Sequence, residues 1–80
     1  MRLKILYFAA VRDLVGLAGE EVDLPVATVA ELGRALSARH PGLAGRLKPV
    51  RFARNAAFAE PADALAEGDE IALIPPVAGG

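Results

Sequence analysis

The sequence predicts a single α+β domain in which a mixed sheet of four or five strands carries one main helix on one face. Short segments with alternating apolar and polar residues, typical of strands, lie on both sides of one capped amphipathic segment, typical of a helix. Eighty residues, 54% of them apolar, are enough for one small core. No linker-like stretch divides the chain, so we expect one body over residues 1–74, followed by a tail over 75–80.

Five segments are predicted to be strands because they alternate or are rich in apolar, strand-forming residues. They are residues 2–8, 20–25, 50–54, 57–60 and 70–74. Asn55-Ala56 is a suitable tight turn between the third and fourth, because asparagine tolerates left-handed backbone. The first and last strands are expected to lie side by side and parallel, joined by the intervening chain as a crossover.

The main helix is predicted over residues 28–39. Thr28-Val29-Ala30-Glu31 forms a capping box, in which the threonine hydroxyl and the glutamate carboxylate bind free backbone N–H groups. Pro41-Gly42 ends the helix. His40 is interpreted as structural, since a histidine at a helix C-terminus interacts favourably with the helix dipole. Residues 10–17 are predicted to add one or two helical turns.

One helix covers only one face of the sheet, so alternation predicts an apolar face opposite to it. The residues predicted to pack under the helix are Leu3, Ile5, Tyr7, Val22, Leu24, Phe52, Ile71 and Leu73. Those predicted on the opposite face are Leu6, Phe8, Ala72 and Ile74, with Phe58 as a further candidate. An exposed apolar patch of this kind is typical of a protein-binding surface. The alternative is that the helical segment at 10–17 folds back over the patch.

Composition excludes several classes of function. The net charge of −1 gives no electrostatic reason to expect nucleic acid or an anionic membrane as a partner. The longest apolar run, Ile5 to Val11, is far shorter than the ~20 residues of a membrane helix, and we expect a cytoplasmic location. Without cysteine and with one histidine, the chain is not expected to hold a Cys/His metal site. It has no phosphate-binding loop for ATP.

The sequence ends on Pro75-Pro76-Val77-Ala78-Gly79-Gly80, which is expected to form an extended tail. The two prolines favour an extended path away from the body. Six residues of about 3.3 Å each reach roughly 20 Å. Because glycine has no Cβ, the last residues can enter a channel that any side chain would block. The alternative is an ordinary frayed terminus.

Together these features resemble the ubiquitin-like β-grasp sulfur carriers, and most closely the small subunits of molybdopterin synthase. The segments that carry the resemblance are Tyr7-Phe8-Ala9, Val11–Gly16, Thr28–Leu32, Asn55, Leu65, Gly68–Ala72 and Ile74–Gly80. The most specific is Pro-Pro-Val, one small residue and terminal Gly-Gly. The sulfur carriers tend to have an aliphatic residue just before the asparagine, whereas this chain has Arg54 there. This difference affects the expected packing of the core near the turn and not the tail.

The resemblance implies a chemistry for the tail. An E1-like adenylating enzyme would use ATP to convert the Gly80 carboxylate into an acyl-adenylate, and a sulfur donor would then leave a thiocarboxylate. The tail would enter the large subunit of molybdopterin synthase, within a heterotetramer, and pass sulfur to cyclic pyranopterin monophosphate to form the dithiolene of molybdopterin. Gly79 would give clearance, and Pro75, Pro76, Val77 and Ala78 would contact the partner. The chain would bind no cofactor and would not be an enzyme on its own.

Three other functions remain open from the sequence. A thiamine-pathway sulfur carrier shares the fold and the tail chemistry, although such carriers tend to be shorter and to lack the two prolines. Carriers that serve tRNA thiolation, or that also act as protein modifiers, use the same Gly-Gly ending. A β-grasp interaction module with an inert tail belongs to a different class.

Overall fold

The computed structural model describes residues 1–76. Its elements, in chain order, are β1 (Arg2–Tyr7), α1 (Ala9–Val15), β2 (Gly19–Asp23), α2 (Val29–Arg39), a 3-10 turn (Pro41–Leu43), β3 (Arg51–Arg54), β4 (Ala57–Ala59) and β5 (Glu70–Ile74). Every predicted strand and both predicted helical segments are present, with ends that lie within two residues of the predicted ones.

The five strands form one mixed sheet in the order β2-β1-β5-β3-β4. The two central strands, β1 and β5, are parallel, and Ile5 lies opposite Ile71 in their register. All other neighbouring strands are antiparallel. The predicted parallel pairing of the first and last strands is therefore confirmed, and the chain between them crosses the sheet through α2.

The turn between β3 and β4 uses left-handed backbone at both central residues, with φ of 49° at Asn55 and 71° at Ala56. This pair of positive φ values is the one that a type I′ hairpin turn requires. The Asn55 side chain also anchors the turn to β5, because its Oδ1 accepts a hydrogen bond from the Glu70 N–H at 2.9 Å. Ala56 carries a Cβ at a position that favours glycine, so the turn is strained there.

Helix α2 begins after Thr28 with the predicted threonine cap, whereas the Glu31 carboxylate binds the N–H one residue before the cap instead of the N–H of Thr28 itself. The Glu31 N–H donates to Thr28 Oγ1 at 3.3 Å, and the Ala27 N–H donates to the Glu31 carboxylate at 2.6 Å. The helix ends at His40, whose N–H donates to the Leu36 carbonyl. Proline follows and cannot supply the next N–H donor of the helix.

The core lies between one face of the sheet and both helices. Of the eight residues predicted to face the helix, six are buried, and Leu24 and Phe52 are half-buried and pack against the same cluster. Val11 of α1 is buried in this cluster, and Leu14 and Val15 pack against it. The alternative in which α1 covers the opposite face is therefore wrong, because its apolar side chains are already used in the core.

Arg54, which departs from the family pattern, is accommodated by an ion pair. Its Nε donates to Asp69 Oδ2 at 2.5 Å, and Asp69 also accepts hydrogen bonds from Asn55 Nδ2 and the Ala66 N–H. The bond from Arg54, opposed by burial and aided by the other two bonds, lowers the pKa of Asp69 to about 2. The buried carboxylate thus ties the β3–β4 turn to the start of β5.

A second polar cluster fixes the end of α2 against β1 and β2. Glu20 accepts hydrogen bonds from the Tyr7 hydroxyl at 2.6 Å and from Arg39 Nε at 3.0 Å, and its Oε2 lies 2.5 Å from His40 Nε2. Burial raises the pKa of Tyr7, and its hydrogen bond to the carboxylate raises it further. Burial opposes ionisation of Glu20, but its three hydrogen-bond partners outweigh this effect and lower its pKa. His40 has the structural role predicted for it.

Candidate partner-docking groove and tail

The strand register builds a continuous apolar row on the sheet face opposite the helices. Leu6 lies opposite Ala72, Ala72 lies opposite Ala53, and Ala53 lies opposite Phe58. The row therefore crosses four strands, from β1 through β5 and β3 to β4. The shallow groove at this row has a volume of about 270 Å³ and is lined by Leu6, Phe8, Ala53, Ala56, Phe58, Glu70, Ala72 and Ile74. We call it the docking groove.

Two phenylalanines give the docking groove most of its exposed apolar surface. Phe58 is 60% exposed and Phe8 is 46% exposed, whereas Leu6, Ala72 and Ile74 are half-buried. All five residues predicted from the sequence to lie on this face therefore come together in one groove. Ala53 was not predicted to lie on this face. Its place follows from alternation, because Phe52 was predicted to face the helix and the next residue of a strand points to the opposite face.

Phe8 is held at the groove by its backbone. It is the residue between β1 and α1, with extended φ and ψ of −114° and 147°. Its N–H donates to the Leu73 carbonyl, and its carbonyl accepts from the N–H groups of Val11 and Arg12. Phe8 thus caps the short helix through its main chain while its side chain remains on the groove side.

Polar residues occupy the same sheet face away from the tail. In the next row, Glu21 lies opposite Lys4 and Lys4 lies opposite Glu70, so charges alternate in sign across three strands. Lys4 Nζ lies 4.0 Å from the Glu70 carboxylate. The face is therefore divided into a charge-compensated part and an apolar part, and the apolar part lies beside the end of β5.

The chain leaves the sheet at the apolar end of this face. Ile74 and Pro75 are half-buried, and Pro76 is exposed. Val77, Ala78, Gly79 and Gly80 lie outside the described residues, so the extended tail and the boundary at residue 74 remain predictions. What the structure shows is that β5 delivers the chain to the rim of the docking groove.

A larger concavity lies on the other side of the molecule. It has a volume of about 650 Å³ and runs between α2 and the β3–β4 hairpin, with Gly33, Leu47 and Phe52 among its lining residues. Among residues 1–76, none that the sequence predicts to bind a partner lines it. It is thus separate from the docking groove.

Within residues 1–76, neither helix has the length and apolar character required to cross a lipid bilayer.

A mixed five-stranded sheet with a crossing helix on one face, an open opposite face and two parallel central strands, the first and the last of the chain, defines a ubiquitin-like β-grasp protein. The chain belongs to the ThiS family, which it matches over residues 5–80.

Relatives and solved structures agree with this assignment. The chain is 39% identical to the molybdopterin synthase sulfur carrier subunit of Chlamydomonas reinhardtii, over 100% of both chains. It superposes on the crystal structure of SAMP1 from Haloferax volcanii with a TM-score of 0.89 and 32% identity, over 100% of both chains. It is also similar to a chain in the complex of subunits 1 and 2 of the molybdopterin-converting factor from Helicobacter pylori, with a TM-score of 0.73, 26% identity and 100% coverage of both chains.

Proposed function

We propose that this chain is the sulfur carrier subunit of molybdopterin synthase. The observation that carries the proposal is the position of the docking groove: an open apolar surface lies directly beside the strand that leads into Pro75-Pro76-Val77-Ala78-Gly79-Gly80. A protein that covers this groove is in place to receive the last residues of the chain. The full-length similarity to a sulfur carrier subunit supports the same function.

The Gly80 carboxylate is the reacting group of this proposal. An E1-like adenylating enzyme joins it to the α-phosphate of ATP and releases pyrophosphate, which gives an acyl-adenylate. A donor at the sulfide level (HS⁻) attacks the carbonyl carbon, the bond to AMP breaks, and AMP leaves, so the product is a thiocarboxylate in which one oxygen is replaced by sulfur. Activation is needed because a carboxylate has a delocalised charge and no good leaving group, whereas AMP leaves readily from the mixed anhydride.

The rest of the chain delivers this group. Leu6, Phe8, Phe58, Ala72 and Ile74 dock on the large subunit of molybdopterin synthase, which supplies the catalytic groups. Pro75, Pro76, Val77 and Ala78 lead into its active site, and Gly79 and Gly80 pass where side chains do not fit. Two thiocarboxylates, each supplying one sulfur atom, convert cyclic pyranopterin monophosphate to the dithiolene, and water hydrolyses the acyl group left on each carrier so that the Gly80 carboxylate is restored. Two carriers and two large subunits form the heterotetramer, and the complex, not the carrier alone, is the sulfurtransferase.

The proposal assigns no cofactor to the carrier itself. ATP is used by the adenylating partner, which agrees with the lack of a phosphate-binding loop in the sequence. All steps take place in the cytoplasm. No charged surface for nucleic acid is needed for any of them.

The direct test is reconstitution from purified parts. The protein is incubated with the adenylating enzyme, ATP and a sulfur source, and its C-terminal peptide is analysed by mass spectrometry. We expect one oxygen to be replaced by sulfur, and we expect the product to convert the pyranopterin precursor when the large subunit is added. A variant without Gly79 and Gly80 is the control. An unmodified tail under these conditions would contradict the proposal and leave a β-grasp binding module.

The thiocarboxylated protein from this experiment also distinguishes a carrier of the molybdenum pathway from carriers of other pathways. The thiocarboxylated protein is offered in parallel to the large subunit, to the thiazole-forming enzyme of thiamine synthesis and to a tRNA-thiolating enzyme. We expect sulfur transfer only with the large subunit. Transfer only to another acceptor would keep the carrier chemistry but overturn the assignment to molybdopterin synthase.

A further inference from the structure

Arg51 does not line the docking groove itself, but it contacts the groove residue Phe58 beside the end from which the tail departs, and it also borders the helix-side concavity. It lies opposite Ile74 in the register of β3 and β5, and Ile74 is the last strand residue before Pro75. Alternation along β3 puts Arg51 on the same face as Ala53, the residue at the centre of the apolar row. The side chain therefore lies next to the docking groove, where a partner that covers Phe58 also contacts it.

The guanidinium group is held in place by an aromatic ring. The Arg51 guanidinium carbon lies 3.9 Å from the centroid of the Phe58 ring, which is within the range of a favourable cation–π contact. Phe58 lies on the neighbouring strand β4. The ring restricts the long side chain and leaves the N–H donors around the edge of the guanidinium plane free for another partner.

No carboxylate of residues 1–76 neutralises Arg51. Among the lysines and arginines of the described chain, Lys4, Arg39 and Arg54 form ion pairs, whereas Arg51 forms none, as is also true of Arg2, Arg12, Arg34, Arg46 and Lys48. Glu70, the acidic residue that borders the docking groove, is four residues before Ile74 and thus about 13 Å away along the strand. Glu60, which continues the β3–β4 register opposite Arg51, borders the helix-side concavity together with it but forms no ion pair with it. The Arg51 guanidinium group is therefore available to pair with a carboxylate of a partner.

A partner that covers the apolar groove removes water from this guanidinium group, and an unpaired buried charge is costly. We propose that Arg51 is a specificity-determining residue, and that the large subunit presents a carboxylate to it beside the entry point of the tail. This inference rests on the proposed function, since the large subunit is its partner. A planar guanidinium fits a carboxylate with two parallel hydrogen bonds, which fixes orientation as well as charge. The pair thereby aligns the root of the tail with the channel that receives it.

The test compares four variants by calorimetry with the purified large subunit. Arg51→Met keeps a long apolar side chain over Phe58 without the charge, and we expect binding about tenfold weaker, equal to about 1.4 kcal/mol. Arg51→Lys keeps the charge but loses the two-pronged geometry, and its affinity should lie between those of Met and Arg. Arg51→Glu should bind most weakly, because the new carboxylate would face the carboxylate of the large subunit and the two like charges would repel each other. Arg34→Met, an exposed arginine on the rim of the helix-side concavity, is the matched control and should bind as the wild type does.

Salt dependence separates charge recognition from packing. Raising the salt from about 0.05 M to about 0.5 M should weaken wild-type binding, and the dependence should be smaller for Arg51→Met. Equal affinity and equal salt dependence of Arg51→Met and wild type would overturn the inference. So would a loss at Arg34→Met with none at Arg51→Met, since Arg51 also borders the concavity and the partner would then cover that side.

The inference and the proposed function fail in different ways. Dithiolene formation by the wild-type protein tests the proposed function, whereas only the ranking of the Arg51 variants tests the carboxylate contact. If the wild-type protein is fully active but the affinities of the Arg51 variants do not follow the expected order, the carboxylate contact is rejected and the proposed function stands. Thermal unfolding of each variant shows whether the fold is intact, and we expect unchanged melting temperatures because Arg51 is exposed.

Discussion

Replacing Phe8 with alanine removes one of the two aromatic rings of the docking groove and leaves the sheet register intact. Phe8 lies just beyond β1, and its hydrogen bonds to Leu73, Val11 and Arg12 all use the main chain. An alanine at this position keeps those bonds. The substitution therefore tests the ring itself, and we expect its main effect on partner binding rather than on folding.

The expected magnitude follows from the exposed fraction of the residue. Full burial of a phenylalanine contributes about 1.5–3 kcal/mol, but only the 46% of Phe8 that is exposed can still be buried by a partner. This leaves about 0.7–1.4 kcal/mol, or roughly a threefold to tenfold loss of affinity. Phe58, at 60% exposed, should lose somewhat more when it is replaced by alanine.

The assay is calorimetric titration of the large subunit with wild type, Phe8→Ala and Phe58→Ala, together with urea unfolding of each carrier. Leu17→Ala is the matched control, because Leu17 is also exposed, at 42%, but does not line the docking groove. We expect weaker binding for both phenylalanine variants and unchanged binding for the control. If Phe8→Ala unfolds the domain and its folded fraction binds normally, Phe8 is a core residue and the groove is not the docking surface.

Three further predictions concern the tail, the turn and the buried carboxylate. Deleting Gly79 and Gly80 should abolish sulfur transfer while the melting temperature changes little, and Gly80→Ala should lower activation far more than partner binding, as mass spectrometry and calorimetry will show. Ala56→Gly should stabilise the protein by up to about 1 kcal/mol in urea unfolding, because φ of 71° costs alanine more than glycine. Because the pKa of Asp69 is lowered from 3.8 to about 2, its contribution to stability, about 2 kcal/mol, should be present above the higher value and be lost as the pH falls through the lower one. Asp69→Asn should show less acid destabilisation over that interval in pH-dependent unfolding, and equal acid destabilisation of both proteins would contradict the assignment.

The sequence by itself determined the elements and the faces of the sheet. Strand alternation, the capping box at Thr28 and the Asn55-Ala56 turn are local signals, because each depends on residues that are close together in the chain. Once the helix was assigned to one face, alternation was enough to place Leu6, Phe8, Ala72 and Ile74 on the other. The segment Pro75–Gly80 carried the resemblance to the sulfur carriers, and that resemblance predicts the chemistry of the tail.

The tertiary structure decided which distant residues meet. From the sequence, segment 10–17 could pack on either face of the sheet. Val11 is buried in the core on the helix face, so this segment leaves the docking groove open. The sequence showed no partner for the charge of Arg54, whereas the fold places Asp69 Oδ2 2.5 Å from its Nε. In the same way, Arg51 acquired its place over Phe58 only through the pairing of β3 with β4. These contacts depend on strand register and on packing between separate elements, and no local pattern of residues encodes them.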